Sequence, residues 1–188
     1  MTSTDDEKSV ESRLIDFNRL VKVCAQPLLA VDVPQSDAHL IADTFVRSEA
    51  EGAASHGVSR LPQLIRRIQA GVVEPRTRLE TDVEGPATAA LNANNGIGQV
   101  VAQRAMEMAV SKAETVGVAV VTVRESSHFG RAGHAASLAA EAKLIGLAAS
   151  NASPRVVSDV GARPILGNNP WAVAIPTDDN PICCGHGE

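Results

Sequence analysis

Asn95-Gly96-Ile97-Gly98-Gln99-Val100-Val101 decides which kind of α/β fold this chain can adopt. It follows a short apolar run over 88–91 and precedes a helical pattern beginning at Gln99. At that junction a dinucleotide-binding strand-turn-helix keeps three glycines at G-x-G-x-x-G spacing. Gly96 and Gly98 match the first two, but Val101 stands where the third belongs. The third glycine lets helix and strand pack closely, so a branched side chain there argues against a Rossmann-type site. The stretch reads as a turn.

The patterning differs on the two sides of this turn. Upstream, Leu14, Phe17, Val21, Cys24 and Leu28 recur at helical spacing, with Pro27 placed to bend or end the helix. After Val33-Pro34, Ser36 is the expected N-cap of a second helix. Asp37 sits where the helix dipole favours it, and Ala38, Ile41, Ala42 and Phe45 form an apolar stripe. A third helix is expected over 60–70, carrying Leu61, Leu64, Ile65 and Ile68 and stopped by Gly71. The helical period fades over 75–86, where charged residues mix with turn formers.

Downstream, β-rich runs alternate with helices: a strand over 88–91, a helix over 99–116, a buried strand over 118–123 and a helix over 132–143. A second buried strand follows over 144–150 and another strand over 171–175. The tail over 182–188 completes no layer and reads as a frayed end. The expected organisation is a polar tail over 1–12, a helical N-terminal unit over 13–78 and a partial α/β domain over 79–188. The fold class is α/β, of the α+β kind.

Composition narrows the functions available. The 188 residues carry a formal charge of −5, which gives no general attraction to nucleic acid or anionic membrane. Aromatic residues make up 2% and Tyr is absent, so stacking on bases is nearly excluded and the core must use small aliphatic side chains. The first residues are polar and acidic rather than a basic, apolar leader, and no apolar run is long enough to span a bilayer. The three cysteines, Cys24, Cys183 and Cys184, make a poor disulfide framework, which fits a reducing, cytoplasmic setting. Cys183-Cys184 with His186 lacks structural-zinc spacing, so no metal is expected.

Two histidines lie in polar, glycine-flanked loops, where functional groups tend to be found. Ser55-His56-Gly57-Val58-Ser59-Arg60 brings a hydroxyl, an imidazole and a guanidinium within six positions. Toward a 2-oxo acid, Arg60 can hold the carboxylate, His56 can exchange the proton of the reacting oxygen and Ser55 can orient the imidazole. The plainer alternative is that Ser55 caps the following helix while His56 and Arg60 face solvent. The second loop, Ser126-Ser127-His128-Phe129-Gly130-Arg131-Ala132-Gly133, enters a helix whose first N–H groups can face an anionic cofactor group, with Arg131 adding charge. Its alternative is an ordinary strand-to-helix turn with a capping serine. His39 and His134 lie on helices and read as surface or packing residues.

Four motifs occur in one order: Ser55-His56-Gly57-Val58-Ser59-Arg60-Leu61-Pro62, Asn95-Gly96-Ile97-Gly98-Gln99, Ser127-His128-Phe129-Gly130 and Gly167-Asn168-Asn169-Pro170. Together they resemble the type II malate/L-lactate dehydrogenases over about 14–176. The resemblance implies a helical unit beside a non-Rossmann α/β cofactor domain, assembled as a homodimer with active sites near the subunit contact. It implies an oxidoreductase moving hydride between NAD or NADP and a small 2-hydroxy or 2-oxo acid. Ser55 would orient the acid–base residue His56, and Arg60 would bind the substrate carboxylate. His128, Phe129, Gly130, Arg131 and Ala132 would contact the cofactor. In some members the histidine matching His128 is instead the proton acceptor.

Three departures from the family pattern stand out. Ser127 replaces the usual Asn before His-Phe-Gly, and Asn168 replaces a Thr that touches substrate. The family's later strand with an Asp-Met-Ala type motif is not matched after Pro176, so the domain is expected to be incomplete at its C-terminus, with an inactive chain as one outcome. Uncovered sheet edge and apolar surface would follow. The rival of another class is a non-catalytic subunit that pairs with a full-length homologue. A Rossmann-type dehydrogenase is a weaker rival, disfavoured by Val101.

Overall fold

Asp16 opens the first helix, α1 (Phe17–Leu29), by accepting the Arg19 N–H at 2.8 Å. The computed structural model describes residues 14–157, 161 and 163–186, so the expected polar tail over 1–12 lies outside the described residues. Pro27 falls in the last turn of α1, which ends two residues later. The second helix, α2 (Gln35–Ala50), starts one residue before the expected cap. Pro34 in extended conformation (φ −56°, ψ 147°) occupies the N-cap position, and the Ser36 hydroxyl faces Asp37 from inside the first turn. α3 (Leu61–Gln69) completes the helical unit.

These three helices share one core. Leu28, Ile41 and Phe45 are fully buried, joined by Cys24, Leu64 and Ile68 and also by Ile97 and Val100 from beyond the strand that follows. The buried Asp37 adds a polar tie, its carboxylate taking both oxygens to Arg104 Nη2 at 2.8 and 3.1 Å. Arg104 also donates to the Thr77 carbonyl, and Thr77 Oγ1 accepts the Ile97 N–H.

β1 (Glu80–Glu84) and β2 (Thr88–Gly96) pair antiparallel, and β2 runs parallel to β3 (Val120–Ser126) through α4 (Gly98–Val116). β1 lies inside the stretch over 75–86 where the helical period fades. All five of its residues are exposed, so no alternation announced it, and its ladder with β2 creates it. Asn94 and Asn95 take positive φ where β2 turns into α4, which asparagine tolerates better than most residues.

After α5 (Ala132–Glu141) come β4 (Gly146–Ala149), a hairpin of β5 (Val156–Val157) and β6 (Pro164–Leu166), then β7 (Trp171–Ile175) and β8 (Ile182–His186). β4, β7 and β8 form an antiparallel sheet under α5. The tail is therefore not frayed through His186: Ile182 faces Ile175 and His186 faces Trp171 in register. The two strands expected to be buried are covered on one face at most among the described residues. Val120 of β3 is 57% exposed and Leu147 of β4 is 65% exposed. With a single parallel pair in the three separate sheets of the described residues, this α/β arrangement is not doubly wound. Among the described residues no helix is long and apolar enough to cross a membrane.

Candidate active site

The chain leaving α2 folds into two 3-10 turns, Ala54–His56 and Val58–Arg60, which carry the first histidine loop. The loop is braced from inside: Ser59 Oγ donates to the Ala54 carbonyl, and Arg60 Nε donates to the Ser55 carbonyl. Ser55 Oγ lies 3.0 Å from His56 Nδ1. The Ser55 hydroxyl is thus turned to the imidazole, and α3, whose N-cap is Arg60, has no side-chain cap. His56 and Arg60 are half-buried. Arg60 Nη1 donates to Gln63 Oε1 at 3.2 Å.

The second loop, 127–131, rests on the start of α4. Gly98 N–H donates to Ser127 Oγ at 2.9 Å, so this serine caps α4 from 29 positions away and leaves α5 without a side-chain cap. Gly98 itself is required by contact: a Cβ there would lie 2.3 Å from the His128 carbonyl oxygen. Gly98, the second glycine of the incomplete dinucleotide fingerprint, is the seat of the second histidine loop.

The two loops meet ring to ring. His56 and His128 stack with centroids 5.5 Å apart and planes inclined by 26°. Gly130 N–H donates to His128 Nδ1 at 3.2 Å, which makes Nδ1 the unprotonated nitrogen and leaves the ring proton on Nε2. His128 keeps a solvent-facing side, yet its proton affinity is pushed down to about 4. Loss of solvation is the largest cause, followed by electrostatic repulsion from His56, Arg60 and Arg67. At neutral pH it is an uncharged hydrogen-bond donor.

The remaining expected residues are placed as follows. Phe129 packs against the α5 core, and Ala132 lies inside that core, 1% exposed. Arg131 forms an ion pair with Glu51 of the chain just beyond α2, so its charge is engaged within the fold. Asn168 lies in the exposed turn between β6 and β7. Its neighbour Asn169, at positive φ, accepts the Ala152 N–H at 2.9 Å. His39 is exposed and His134 half-buried; a groove of about 460 Å³ runs between α4 and α5, and one of about 410 Å³ between α2 and α5 is lined by both His39 and His134, while neither groove includes His56 or His128.

Sequence reading did not identify Arg67, one α3 turn pair beyond Arg60, whose charge reaches His128. It also passed over Glu49, which accepts the Val58 N–H at 3.1 Å. Both are exposed charges on helices, a pattern that normally signals only a solvated face.

The geometry has relatives. The chain is 38% identical over 165 residues to a malate dehydrogenase of Pyrococcus horikoshii, covering 88% of this chain and 46% of that protein. It is 40% identical over 153 residues to an L-sulfolactate dehydrogenase of Methanocaldococcus jannaschii, covering 81% and 44%. The solved malate dehydrogenase of Pyrococcus horikoshii OT3 superimposes with a TM-score of 0.87 at 36% identity, over 94% of this chain and 53% of that one. The chain thus spans about half the length of the curated relatives it matches. The malate/L-lactate dehydrogenase family model matches residues 15–184, and with the two histidine loops in these positions the chain belongs to the malate/L-lactate dehydrogenase family.

Proposed function

We propose that this chain supplies the acid–base and carboxylate-binding face of an oxidoreductase that interconverts small 2-hydroxy and 2-oxo acids with NAD or NADP. The observation that carries the reading is the contact of two independent loops: Ser55, His56 and Arg60 in one turn, stacked on a neutral His128. A non-catalytic subunit would have no need of that convergence. The reading includes a cytoplasmic homodimer.

In the reducing direction, C2 of the 2-oxo acid gains hydride and its oxygen gains a proton. Ser55 fixes His56 through Nδ1, which assigns the exchanged proton to Nε2. His128, with its proton on Nε2, donates a hydrogen bond to the same oxygen and stabilises the charge that develops there. Arg60 receives the carboxylate as a bidentate partner, exchanging its bond to Gln63 for one to substrate. In the oxidising direction His56 takes the proton back. A second assignment makes His128 the acceptor in that direction, favoured by a ring that is already uncharged at neutral pH.

The residues present fit a nicotinamide cofactor. Gln99 is 5% exposed and packs against Gly130, and its Oε1 has no hydrogen-bond partner among the described residues, an acceptor suited to an amide N–H. Gln99 with His128, Phe129 and Gly130 would hold the group, which supplies or accepts the hydride when bound.

The test is loss of reduced-nicotinamide absorbance with a panel of 2-oxo acids. His56→Ala is expected to lower kcat/KM by about 10²–10⁴-fold, the usual contribution of a positioned acid–base group. Undiminished turnover in that variant, with a large loss in His128→Ala, would move the proton to His128. Undiminished turnover in both would reject the site.

A further inference from the structure

Two loops distant in sequence must arrive together for the rings to stack, and the same short stretch of chain touches both. Glu49, in the last turn of α2, reaches into the His56 loop, where its Oε2 accepts the Val58 N–H at 3.1 Å. Gly57 makes room for it: a Cβ at Gly57 would lie 2.0 Å from that same oxygen. Glu51, two residues on and just past the helix end, is ion-paired with Arg131 at the end of the His128 loop. Arg131 is the better enclosed partner, its side chain 16% exposed against 56% for Glu51. Thr44, one and a half turns earlier on α2, packs against Gly130. Neither carboxylate is needed by the chemistry of the rings, and each ends on a different histidine loop.

We propose that the C-terminal end of α2 is the positioning device of the two-histidine site, with Glu49 holding the His56 loop and Glu51 holding the His128 loop through Arg131. One rigid helix then sets the separation of the rings. Glu49 and Glu51 are positioning residues: they act on the reacting groups through Val58 and Arg131. The inference deepens the reading of His56 and His128 as the reacting pair, but its test reads ring titration and needs no turnover. Failure of the enzymatic reading and failure of this one are therefore separable.

The groups acting on His128 are His56 from the first 3-10 turn and Arg60 and Arg67 at the start and end of α3. Together with burial they hold its proton affinity down. Releasing either loop parts the rings and re-solvates His128, so its titration midpoint rises. Removing a carboxylate without moving the loops does the opposite, because losing a negative charge makes every nearby imidazole harder to protonate. The sign of the change therefore separates positioning from charge.

The experiment is a pH titration of the histidine ring signals by NMR in the 188-residue chain, in Glu51→Gln and in Glu49→Ala. In both variants the His128 midpoint is expected to rise from about 4 by about one pH unit or more, a tenfold change in proton affinity. In Glu51→Gln the His134 midpoint is expected to fall, because Glu51 favours its protonated form and α5 stays in place. That fall reports an intact fold. Arg131→Gln breaks the same pair from the other side and is expected to raise His128 as well. A His128 midpoint that stays or falls in either glutamate variant overturns the proposal. So does a general rise in which His134 also moves up, because it would report unfolding rather than release of one loop.

Discussion

The helical half and the second sheet are packed by different means. α1 to α3 close around Leu28, Ile41 and Phe45, large side chains with no exposure to speak of. The buried core between α5 and β7 is built of alanines, Ala132, Ala136 and Ala140 with Ala172 and Ala174. Alanine-on-alanine contact allows close approach but removes little apolar surface per residue. On the far side of that layer Leu147 and Ile182 remain exposed, as do Ile165 and Leu166 of the β5–β6 hairpin. The site draws on the stronger half twice. His56 follows directly from α2, and His128, although it leads into α5, sits on the start of α4, whose Ile97 and Val100 belong to the helical core. Both rings are thus mounted on the well-packed side of the molecule.

Breaking that contrast should have its largest effect in the helical core. Phe45→Ala is expected to cost about 3–5 kcal/mol, as for other fully buried aromatics, whereas Leu166→Ala should stay within about 0.5 kcal/mol. Urea unfolding of the two variants measures the difference, and equal losses would show that the second half contributes as much as the first. Next in size is Gly98→Ala. A Cβ pressed against the His128 carbonyl should cost about 1–3 kcal/mol and free the second loop, visible as faster hydrogen exchange over 127–131 with the helical core unchanged.

The third effect is on pH dependence. His128 takes its proton at about 4 in the fold against an ordinary value of 6.5, so the unfolded chain binds the proton first as pH falls. Its contribution is present in full above about 6.5 and is lost as pH drops through that value toward 4. His134, also held down by burial, acts in the same direction. His128→Gln should flatten this part of the stability profile, and an unchanged slope would mean that the ring is not held as described.

The residues that carry periodic apolar signals were legible in the sequence. α1 to α5 fall within a few residues of their expected spans, and β7 matches over 171–175. β1 and β8 were not, because their residues are exposed and gain strand conformation only from the neighbour they pair with. Ser36 failed as a cap because Pro34 fixes the start of α2 one residue earlier. For the site, Ser55 and His56 could be read together because they are adjacent. The bond from Gly98 to Ser127, the approach of His128 to His56 and the tie from Glu51 to Arg131 span 29, 72 and 80 positions, distances at which spacing carries no signal. Glycine at 98 was visible, but its reason, a carbonyl arriving from another loop, was not.

The central claim is that His56 and His128 form one site for a 2-oxo acid, and a ligand titration tests it directly. Pyruvate or oxaloacetate is added to the 188-residue chain while the ring signals of all histidines are followed. The His56 and His128 signals are expected to shift together along one saturating curve, with His39 and His134 unmoved, and Arg60→Gln is expected to abolish the shift. Signals of His56 and His128 that stay fixed, or that respond at unrelated concentrations, would contradict the account.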